Sequence, residues 1–310
     1  MNSFKILSIV SSIICGIYLK ITMTKYVLSI DGGGVRGLAS ATFLSELDKA
    51  VPKKLSESFD LIVGTSTGGI IALAISILDL QKDDLVKIYS KENIKKIFSP
   101  FRSRILGSKY AGKVKRKVFE DYFKAETLSA AKIPTMITAF DLEKRRVKMF
   151  KSWTDGYLPA RRVAAATSAA PTYFPAESIE GQWYIDGAVS TNNPVLIAYA
   201  EAKKLWPNEE IKILSVGTGY NSKRLDGRRA RKWGSISWLN AGIIQILMES
   251  NIEHVIAQSL FEENYLRVDS SLSGIKSSFD NTSKRNLNSI RLLGENWWKK
   301  FGDKSLSFIS

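Results

Sequence analysis

The sequence predicts an α/β protein of three layers, in which helices cover both faces of a central, largely parallel sheet. Short apolar runs rich in β-branched residues alternate with apolar segments of helical length, and this alternation is typical of parallel strands joined by helices. Glycine-rich turns follow the first two short runs, as expected where a strand passes directly into a helix. With 45% apolar residues in 310, the chain can bury a sizeable core.

The elements are assigned in chain order from the apolar periodicity. A strand at 26–30 ends at three glycines and precedes a helix at 38–50, and a buried strand at 59–63 precedes an apolar helix at 70–80. Further strands are predicted at 135–140, 147–151, 183–185 and 211–216, and further helices at 160–169, 194–204, 243–258 and 284–301.

The chain divides into an apolar N-terminal segment, 1–22, and one folded domain, 23–310, with no internal repeat and no Pro/Ser-rich linker. The apolar stretch of the segment is too short for an ordinary membrane-spanning helix, and it resembles a signal-peptide core or a short anchor. Alternatively, the true start is Met23. The first alternative predicts a secreted or membrane-associated protein, and the second a cytoplasmic one.

The amino-acid composition limits the classes of partner and of metal site that the chain can have. A net charge of +15 favours anionic partners such as acidic lipid surfaces or nucleic acid, and a generally basic, solvated surface is the alternative. Residues 91–118 form a basic insertion with aromatic residues such as Phe98 and Tyr110, which predicts either a lid that docks on an anionic interface or a solvated pair of basic helices. A single cysteine, Cys15, and a single histidine, His254, exclude an internal disulfide framework and argue against a zinc site.

The most informative motif is Gly64-Thr65-Ser66-Thr67-Gly68, which follows the second strand and precedes an apolar helix. A serine hydroxyl is a weak nucleophile unless it is exposed, aligned and deprotonated by a neighbour. Small residues on both sides of a sharp strand-to-helix turn lift the serine above the sheet, and the helix directs the positive end of its dipole at the site. The motif therefore predicts a serine acyl hydrolase with Ser66 as nucleophile and with Gly64 and Gly68 in the turn.

A second glycine motif, DGGGVRG at 31–37, ends the first strand. It satisfies the dinucleotide fingerprint G-x-G-x-x-G, but the next strand ends at the serine turn rather than at the acid that this fingerprint requires. Successive glycines can instead direct their N–H groups at one point and hold the oxyanion of a tetrahedral intermediate. Because consecutive strands are often neighbours in a sheet, the oxyanion hole is favoured. Its candidate residues are Gly32, Gly33, Gly34 and Arg36.

The base that activates the serine has two candidates. His254 lies in an apolar run of helical character without a turn signal nearby, which is more typical of a structural histidine. Asp186 follows a short apolar strand and precedes a glycine, a placement expected of a catalytic group at a strand end. A carboxylate needs a tuned environment to serve as base, since its ordinary pKa of about 4 is far below that of a hydroxyl. A simple turn aspartate is the alternative for Asp186.

Taken together, these motifs resemble those of the patatin-like phospholipase family. DGGGVRG at 31–37 is similar to its glycine-rich oxyanion block, GTSTG at 64–68 to its nucleophile turn, and Asp186-Gly187-Ala188 to its third block. The stretch ATSAAPTYFP at 166–175 is similar to a fourth part of the family sequence. The order and spacing match from Tyr26 to Gly219, about two-thirds of the chain.

The resemblance implies a patatin-like fold and a Ser66–Asp186 dyad without histidine. The dyad would cleave fatty acyl esters of glycerophospholipids, or of neutral acyl lipids, through an acyl-enzyme. The N–H groups around Gly33 and Gly34 would hold the oxyanion, with Arg36 shaping the loop or meeting a lipid phosphate. No metal or cofactor is implied, and an anionic membrane surface is expected as a partner rather than nucleic acid. An acyltransferase with the same acyl-enzyme and a non-catalytic nucleotide- or lipid-binding module are the alternatives.

Overall fold

The computed structural model describes residues 23–99, 107–222, 224–248 and 251–310, so the predicted segment 1–22 lies outside the described residues. The strands are β1 (Thr24–Ile30), β2 (Leu61–Thr65), β3 (Thr135–Asp141), β4 (Arg146–Lys151), β5 (Glu177–Ile179), β6 (Gln182–Asp186), β7 (Glu210–Val216) and β8 (Tyr265–Val268). The helices are α1 (Gly37–Ala50), α2 (Leu55–Ser58), α3 (Thr67–Ser76), α4 (Asp83–Lys87), α5 (Lys91–Ile97), α6 (Gly112–Phe123), α7 (Ala160–Thr167), α8 (Val195–Leu205), α9 (Gly227–Ala230), α10 (Ser235–Asn240), α11 (Ile243–Met248), α12 (Ile252–Phe261) and α13 (Lys284–Phe308).

One sheet contains all the strands of the described residues. Strands β3, β2, β1, β7 and β8 run parallel in this order, while β4 and β6 pair antiparallel with β3. β4 covers one edge of β3, and the other edge is shared: β2 pairs with its first half and β6 with its second half. β2 and β6 therefore approach each other end to end, and this arrangement positions the functional site.

Helices cover both faces of the sheet because its side chains alternate between two apolar layers. Leu28 and Ile30 of β1 contact a core formed with α1, α3, α7 and α13. Val27, the intervening side chain, points to the other face and packs in a second core with α8 and α12. The predicted three-layer α/β fold with a largely parallel sheet is confirmed.

Most predicted elements recur with ends shifted by a few residues, and the exceptions have local causes. The sequence does not predict β5 and β8, since each is short and the apolar run of β8 is interrupted by Arg267. The single helix predicted at 243–258 is wrong, because the described residues there form two helices, α11 and α12. No helix of the described residues combines the length and the apolar character that crossing a bilayer requires.

The basic segment 91–118 folds onto the domain as α5 and the start of α6, and its residues 100–106 lie outside the described part. Phe98 and Tyr110 pack on Phe174 with ring centroids 5.8 and 5.5 Å away. Tyr110 is buried, so the expectation that its side chain faces an interface is wrong. Phe98 is partly buried against the core. Among the described residues of the segment, Ile94 and Val118 are buried as well, while lysines such as Lys113 and Lys117 lie on the outside.

Candidate active site

Ser66 occupies the sharp turn between β2 and α3. Its φ of 55° and ψ of −120° lie in a region that residues with a side chain rarely adopt, at a cost on the order of 1–3 kcal/mol. The tight turn requires glycine at Gly64 and Gly68, since a Cβ there would stand 2.3 Å from the Gly68 carbonyl oxygen and 2.2 Å from the Ile30 carbonyl oxygen, respectively. The strained turn presents the Ser66 hydroxyl above the end of the sheet.

Asp186 reaches Ser66 because β2 and β6 share one edge of β3. Thr65, the last residue of β2, pairs with Thr138, and Asp186, the last residue of β6, pairs with the next residue of β3, Ala139. The Ser66 hydroxyl donates a hydrogen bond of 2.7 Å to Oδ2 of Asp186. Two residues 120 positions apart are thus brought into direct contact by strand pairing.

The Asp186 carboxylate is buried, with only 1% of its surface exposed. Oδ1 accepts a hydrogen bond of 2.9 Å from the Ala188 amide. Burial raises the pKa of Asp186 to about 6, although the hydrogen bonds from Ser66 and Ala188 and the positive charge of Lys115 act in the opposite direction. A carboxylate with a raised pKa is a stronger base than an ordinary aspartate, which suits proton abstraction from a hydroxyl.

The end of α7 supports both members of this pair. Oγ1 of Thr167 accepts a hydrogen bond of 2.8 Å from the Ser66 amide and donates one of 2.6 Å to the Thr138 carbonyl. The carbonyl of Ala169 accepts a hydrogen bond of 3.1 Å from the Asp186 amide. The 167–169 segment therefore sets the backbone positions of Ser66 and Asp186 relative to each other.

The N–H groups of the glycine loop after β1 differ in their hydrogen bonding. The amide of Gly32 donates to the Asn192 carbonyl at 3.0 Å, so the expectation that Gly32 helps to hold an oxyanion is wrong for its N–H. Among the described residues, the amides of Gly33 and Gly34 have no hydrogen-bond partner, and both residues line the same cavity as Ser66. Gly34 also has a φ of 59° and a Cβ there would stand 2.3 Å from the Phe279 carbonyl oxygen, so only glycine fits.

Arg36 lies behind this loop. Its side chain is fully buried, with the guanidinium 4.5 Å from the ring centroid of Phe279 and Nη1 donating to the Ser277 carbonyl at 3.4 Å. Its backbone amide donates to the Gly33 carbonyl. The expectation that Arg36 belongs to the oxyanion hole is therefore wrong for its amide. Its burial favours the shaping of the loop over contact with a lipid phosphate.

A buried ion pair anchors the residue that precedes the loop. Arg267 on β8 forms two hydrogen bonds with Asp31, of 2.9 and 2.5 Å, and a third of 2.8 Å with Asp269. It also donates to Ser215 on β7 at 2.7 Å. Asp31 directly precedes Gly32, so this pair ties the start of the glycine loop to two neighbouring strands.

We expect Arg267→Met to lower the free energy of unfolding by about 3 to 5 kcal/mol, because it leaves the buried carboxylate of Asp31 and the partly buried carboxylate of Asp269 without their cation. Chemical denaturation measures this change. The matched control is Arg291→Met, since Arg291 is 56% exposed and pairs with Glu295 at 3.7 Å, an interaction worth less than about 1 kcal/mol. Equal losses for the two variants would contradict the structural role of Arg267.

An apolar cavity opens from Ser66 and Asp186 into the helical layer. Its walls include Gly33, Gly34, Ala188 and Met248 together with the two reactive side chains. Farther in, α3, α5 and α6 contribute apolar side chains, among them Ile70, Ala74, Ile94, Phe119 and Phe123. A cleft of this kind accepts a long apolar group whose polar end reaches the serine.

His254 lies elsewhere, on the opposite face of the sheet from this cavity's helices. Its Nδ1 is 3.0 Å from the Tyr265 hydroxyl, and burial lowers its pKa. The hydrogen bond of the Ser66 hydroxyl goes to Asp186 instead. The described part of the chain holds no group of three or more His, Cys, Asp or Glu side chains arranged for a metal ion.

Sequence reasoning missed three residues that shape the site. Thr167 lies in the stretch 166–175, which carries a family resemblance but no assigned role, and the hydroxyl that bonds to Ser66 gives no local signal. Arg267 is a single charged residue in a short strand. Lys115 falls in the basic segment and is indistinguishable there from its solvated neighbours. All three act through contacts between distant parts of the chain.

Comparison with known proteins identifies the family. The model of the patatin-like phospholipase family matches residues 28–199, which is more than half of the chain. "Patatin-like protein 1" of Arabidopsis thaliana is 31% identical, over 87% of this chain and 80% of that protein. "Probable inactive patatin-3-Kuras 1" of Solanum tuberosum is 28% identical, over 88% of this chain and 86% of that protein. The solved structure of VipD from Legionella pneumophila is similar with a TM-score of 0.43 and 12% identity, over 89% of this chain and 67% of that one. The chain belongs to the patatin-like phospholipase family.

Proposed function

We propose that this protein is a lipid acyl hydrolase of phospholipase A or lysophospholipase type, with Ser66 as nucleophile and Asp186 as base. One observation carries the proposal: the Ser66 hydroxyl donates to a buried carboxylate at the mouth of an apolar cavity. Relatives of this chain include a probable inactive patatin, but both reactive groups are present here and in contact. A non-catalytic module has no chemical need for such a pair.

Acylation begins when Asp186 accepts the Ser66 proton and Oγ attacks the ester carbonyl carbon. The carbonyl oxygen becomes an oxyanion, to which the amides of Gly33 and Gly34 supply hydrogen bonds. The C–O bond to the alcohol then breaks, and Asp186 returns its proton to the leaving oxygen. Ser66 is left as an acyl ester, with the acyl chain in the apolar cavity.

Deacylation repeats these steps with water. Asp186 accepts a proton from a water molecule as the water oxygen attacks the acyl carbon. The new intermediate collapses when the Ser66–acyl bond breaks, and Asp186 protonates the departing Oγ. The fatty acid leaves, and the hydrogen bond between Ser66 and Asp186 forms again.

Two measurements on the purified protein test this function. A fluorophosphonate probe with an alkyl chain should label Ser66, as located by peptide mass spectrometry, and should not label Ser66→Ala. Product analysis on defined phospholipids and acylglycerols should show free fatty acid from the unmodified protein only. Acyl release that survives the loss of Ser66 would disprove the proposal. Transfer of the acyl group to an added alcohol in preference to water would assign the protein as an acyltransferase instead.

We expect Ala74→Trp to change the preference for acyl chain length. Ser66, Ile70 and Ala74 follow one face of α3 along the cavity, and a rise of 1.5 Å per residue puts Ala74 about 12 Å beyond Ser66. A tryptophan there should block long chains and leave room for short ones. Hydrolysis of p-nitrophenyl butyrate should stay within about threefold of the unmodified protein, while hydrolysis of p-nitrophenyl palmitate should fall at least about 100-fold, the factor that corresponds to the loss of a few buried methylenes.

The ratio of the two rates within one variant is the decisive quantity, since partial unfolding would lower both rates equally. Val114→Trp is the control. Val114 lies on α6 and is 37% exposed, so this substitution adds the same indole ring outside the cavity. An unchanged ratio in Ala74→Trp would show that the acyl chain lies elsewhere.

We also propose that residues 23–310 form the catalytic domain and that exposed lysines of the segment 91–118 attract it to an anionic lipid surface. Binding to vesicles with and without phosphatidylserine, measured by sedimentation, tests the attraction. If residues 1–22 are a signal or an anchor, the protein is secreted or membrane-associated. N-terminal sequencing of the native protein distinguishes removal of this segment, its retention and a start at Met23.

A further inference from the structure

One lysine of the basic segment faces the interior. Lys115 on α6 has 1% of its side chain exposed, whereas Lys113 and Lys117 on the same helix are exposed. Lys115 also lines the cavity that contains Ser66 and Asp186. Burial of an ammonium group costs several kcal/mol unless hydrogen bonds and nearby charges compensate, so its position requires an explanation.

The hydrogen bonds of Lys115 go to the end of α7. Its Nζ donates to the Ala165 carbonyl at 2.9 Å and to the Ser168 carbonyl at 3.1 Å. It also lies 4.5 Å from the ring centroid of Phe174. Two hydrogen bonds to carbonyls three residues apart hold the last turn of α7 and the residue after it in a fixed conformation.

This turn is the segment that supports both reactive residues. Thr167 accepts the hydrogen bond of the Ser66 amide, and Ala169 accepts that of the Asp186 amide. The Lys115 contacts at Ala165 and Ser168 bracket Thr167 and directly precede Ala169. A displacement of this turn would therefore change the distance between the Ser66 hydroxyl and the Asp186 carboxylate.

The charge of Lys115 is also placed to act on Asp186. The groups that face Lys115 are Glu177, with an Oε1 at 3.8 Å, Arg116 and Asp186. Glu177 is already bound by Arg116 through contacts of 3.1 and 3.2 Å. The charge of Lys115 therefore acts on two carboxylates, Glu177, which it shares with Arg116, and Asp186.

We propose that Lys115 is a positioning residue of the Ser66–Asp186 pair, which fixes the end of α7 and stabilises Asp186 in its ionised form. This inference rests on the proposed acyl hydrolase function. Burial lowers the pKa of Lys115 to about 8, with Glu177 and Asp186 acting in the opposite direction and Arg116 lowering it further. Lys115 is therefore a cation at the pH where Asp186 ionises, and it loses its proton as the pH rises through about 8.

The test compares Lys115→Met, Lys115→Arg and the control Lys299→Met by kcat and KM for p-nitrophenyl butyrate from about pH 5 to about pH 9. In Lys115→Met we expect kcat to fall at least about tenfold, with KM within about twofold, and the acid limb of kcat/KM to move about one pH unit upward. Lys299→Met, which removes an exposed lysine of α13, should match the unmodified protein. Lys115→Arg keeps a positive charge and should keep the acid limb in place.

An acid limb that stays in place in Lys115→Met would overturn the proposal. If Lys115→Met does not fold, Lys115→Gln replaces it, because its amide keeps N–H donors for the carbonyls without the charge, and an acid limb that stays in place there would overturn the proposal. These failures differ from a failure of the proposed function, in which the unmodified protein itself hydrolyses no ester at any pH.

Discussion

Replacement of Ser66 by alanine is expected to lower kcat for acyl-ester hydrolysis by a factor on the order of 10⁴ to 10⁶. The variant lacks the atom that forms the acyl-enzyme, and the amides of Gly33 and Gly34 alone provide only weak catalysis. The measurement is single-turnover release of p-nitrophenol, together with titration of reactive sites by a fluorophosphonate.

The fold should tolerate this change. Ser66 is 6% exposed, and its side chain makes one hydrogen bond, to Asp186. The control is Ser76→Ala, which removes a buried hydroxyl at the other end of α3, where it bonds only to the Ala72 carbonyl. Ser76→Ala should retain its activity within a few-fold. Activity of Ser66→Ala above about 1% of the unmodified protein would show that another nucleophile is used.

Replacement of Asp186 by asparagine is expected to lower kcat by a factor on the order of 10⁴. Asparagine keeps the shape of the side chain and can still accept the hydrogen bond from the Ala188 amide. It cannot accept a proton from Ser66, so the base is lost while the geometry is preserved. In the unmodified protein, kcat/KM should fall as the pH drops through about 6, the pKa of Asp186, because the protonated carboxyl is not a base.

The same variant should be more stable than the unmodified protein. The pKa of Asp186 is raised from 3.8 to about 6 by burial, so the folded state binds more protons than the unfolded state between these values. The free energy of unfolding of the unmodified protein therefore falls as the pH rises through this window. Above about pH 6 the burial of the charged carboxylate lowers it by about 3 kcal/mol.

Denaturant unfolding above and below this window measures the effect. The gain of Asp186→Asn should be largest above about pH 6 and should disappear below about pH 3, where the aspartate is protonated in both states. The opposite sign above pH 6, a loss of stability, would show that hydrogen bonds to the charged carboxylate outweigh its burial.

Local sequence was sufficient for the order of elements and for the nucleophile. The strand ending at Thr65, the serine between small residues and the apolar helix from Thr67 are encoded by adjacent residues. The backbone geometry at Ser66 depends on Gly64 and Gly68, which are neighbours in sequence. Such features can be predicted because apolar periodicity and turn chemistry act over a few residues.

The roles of the individual residues in the glycine motif could not be predicted from local sequence. Its position after β1 was predictable, but the use of each N–H depends on residues far along the chain. The Gly32 amide bonds to the Asn192 carbonyl, while Gly33 and Gly34 line the cavity and their amides have no hydrogen-bond partner among the described residues. Arg36 was expected near the reacting groups, yet Phe279 and Ser277 cover it.

The sequence by itself thus determined the fold class, the strand-to-helix turn at Ser66 and the candidacy of Asp186. Only the tertiary structure decided that these two side chains meet, because β2 and β6 pair with successive parts of one edge of β3. It also decided that Lys115 points inward while its neighbours face solvent. The physical reason is the same in each case: the burial and hydrogen bonding of a side chain depend on contacts between segments that are distant in sequence, and the local pattern contains no record of them.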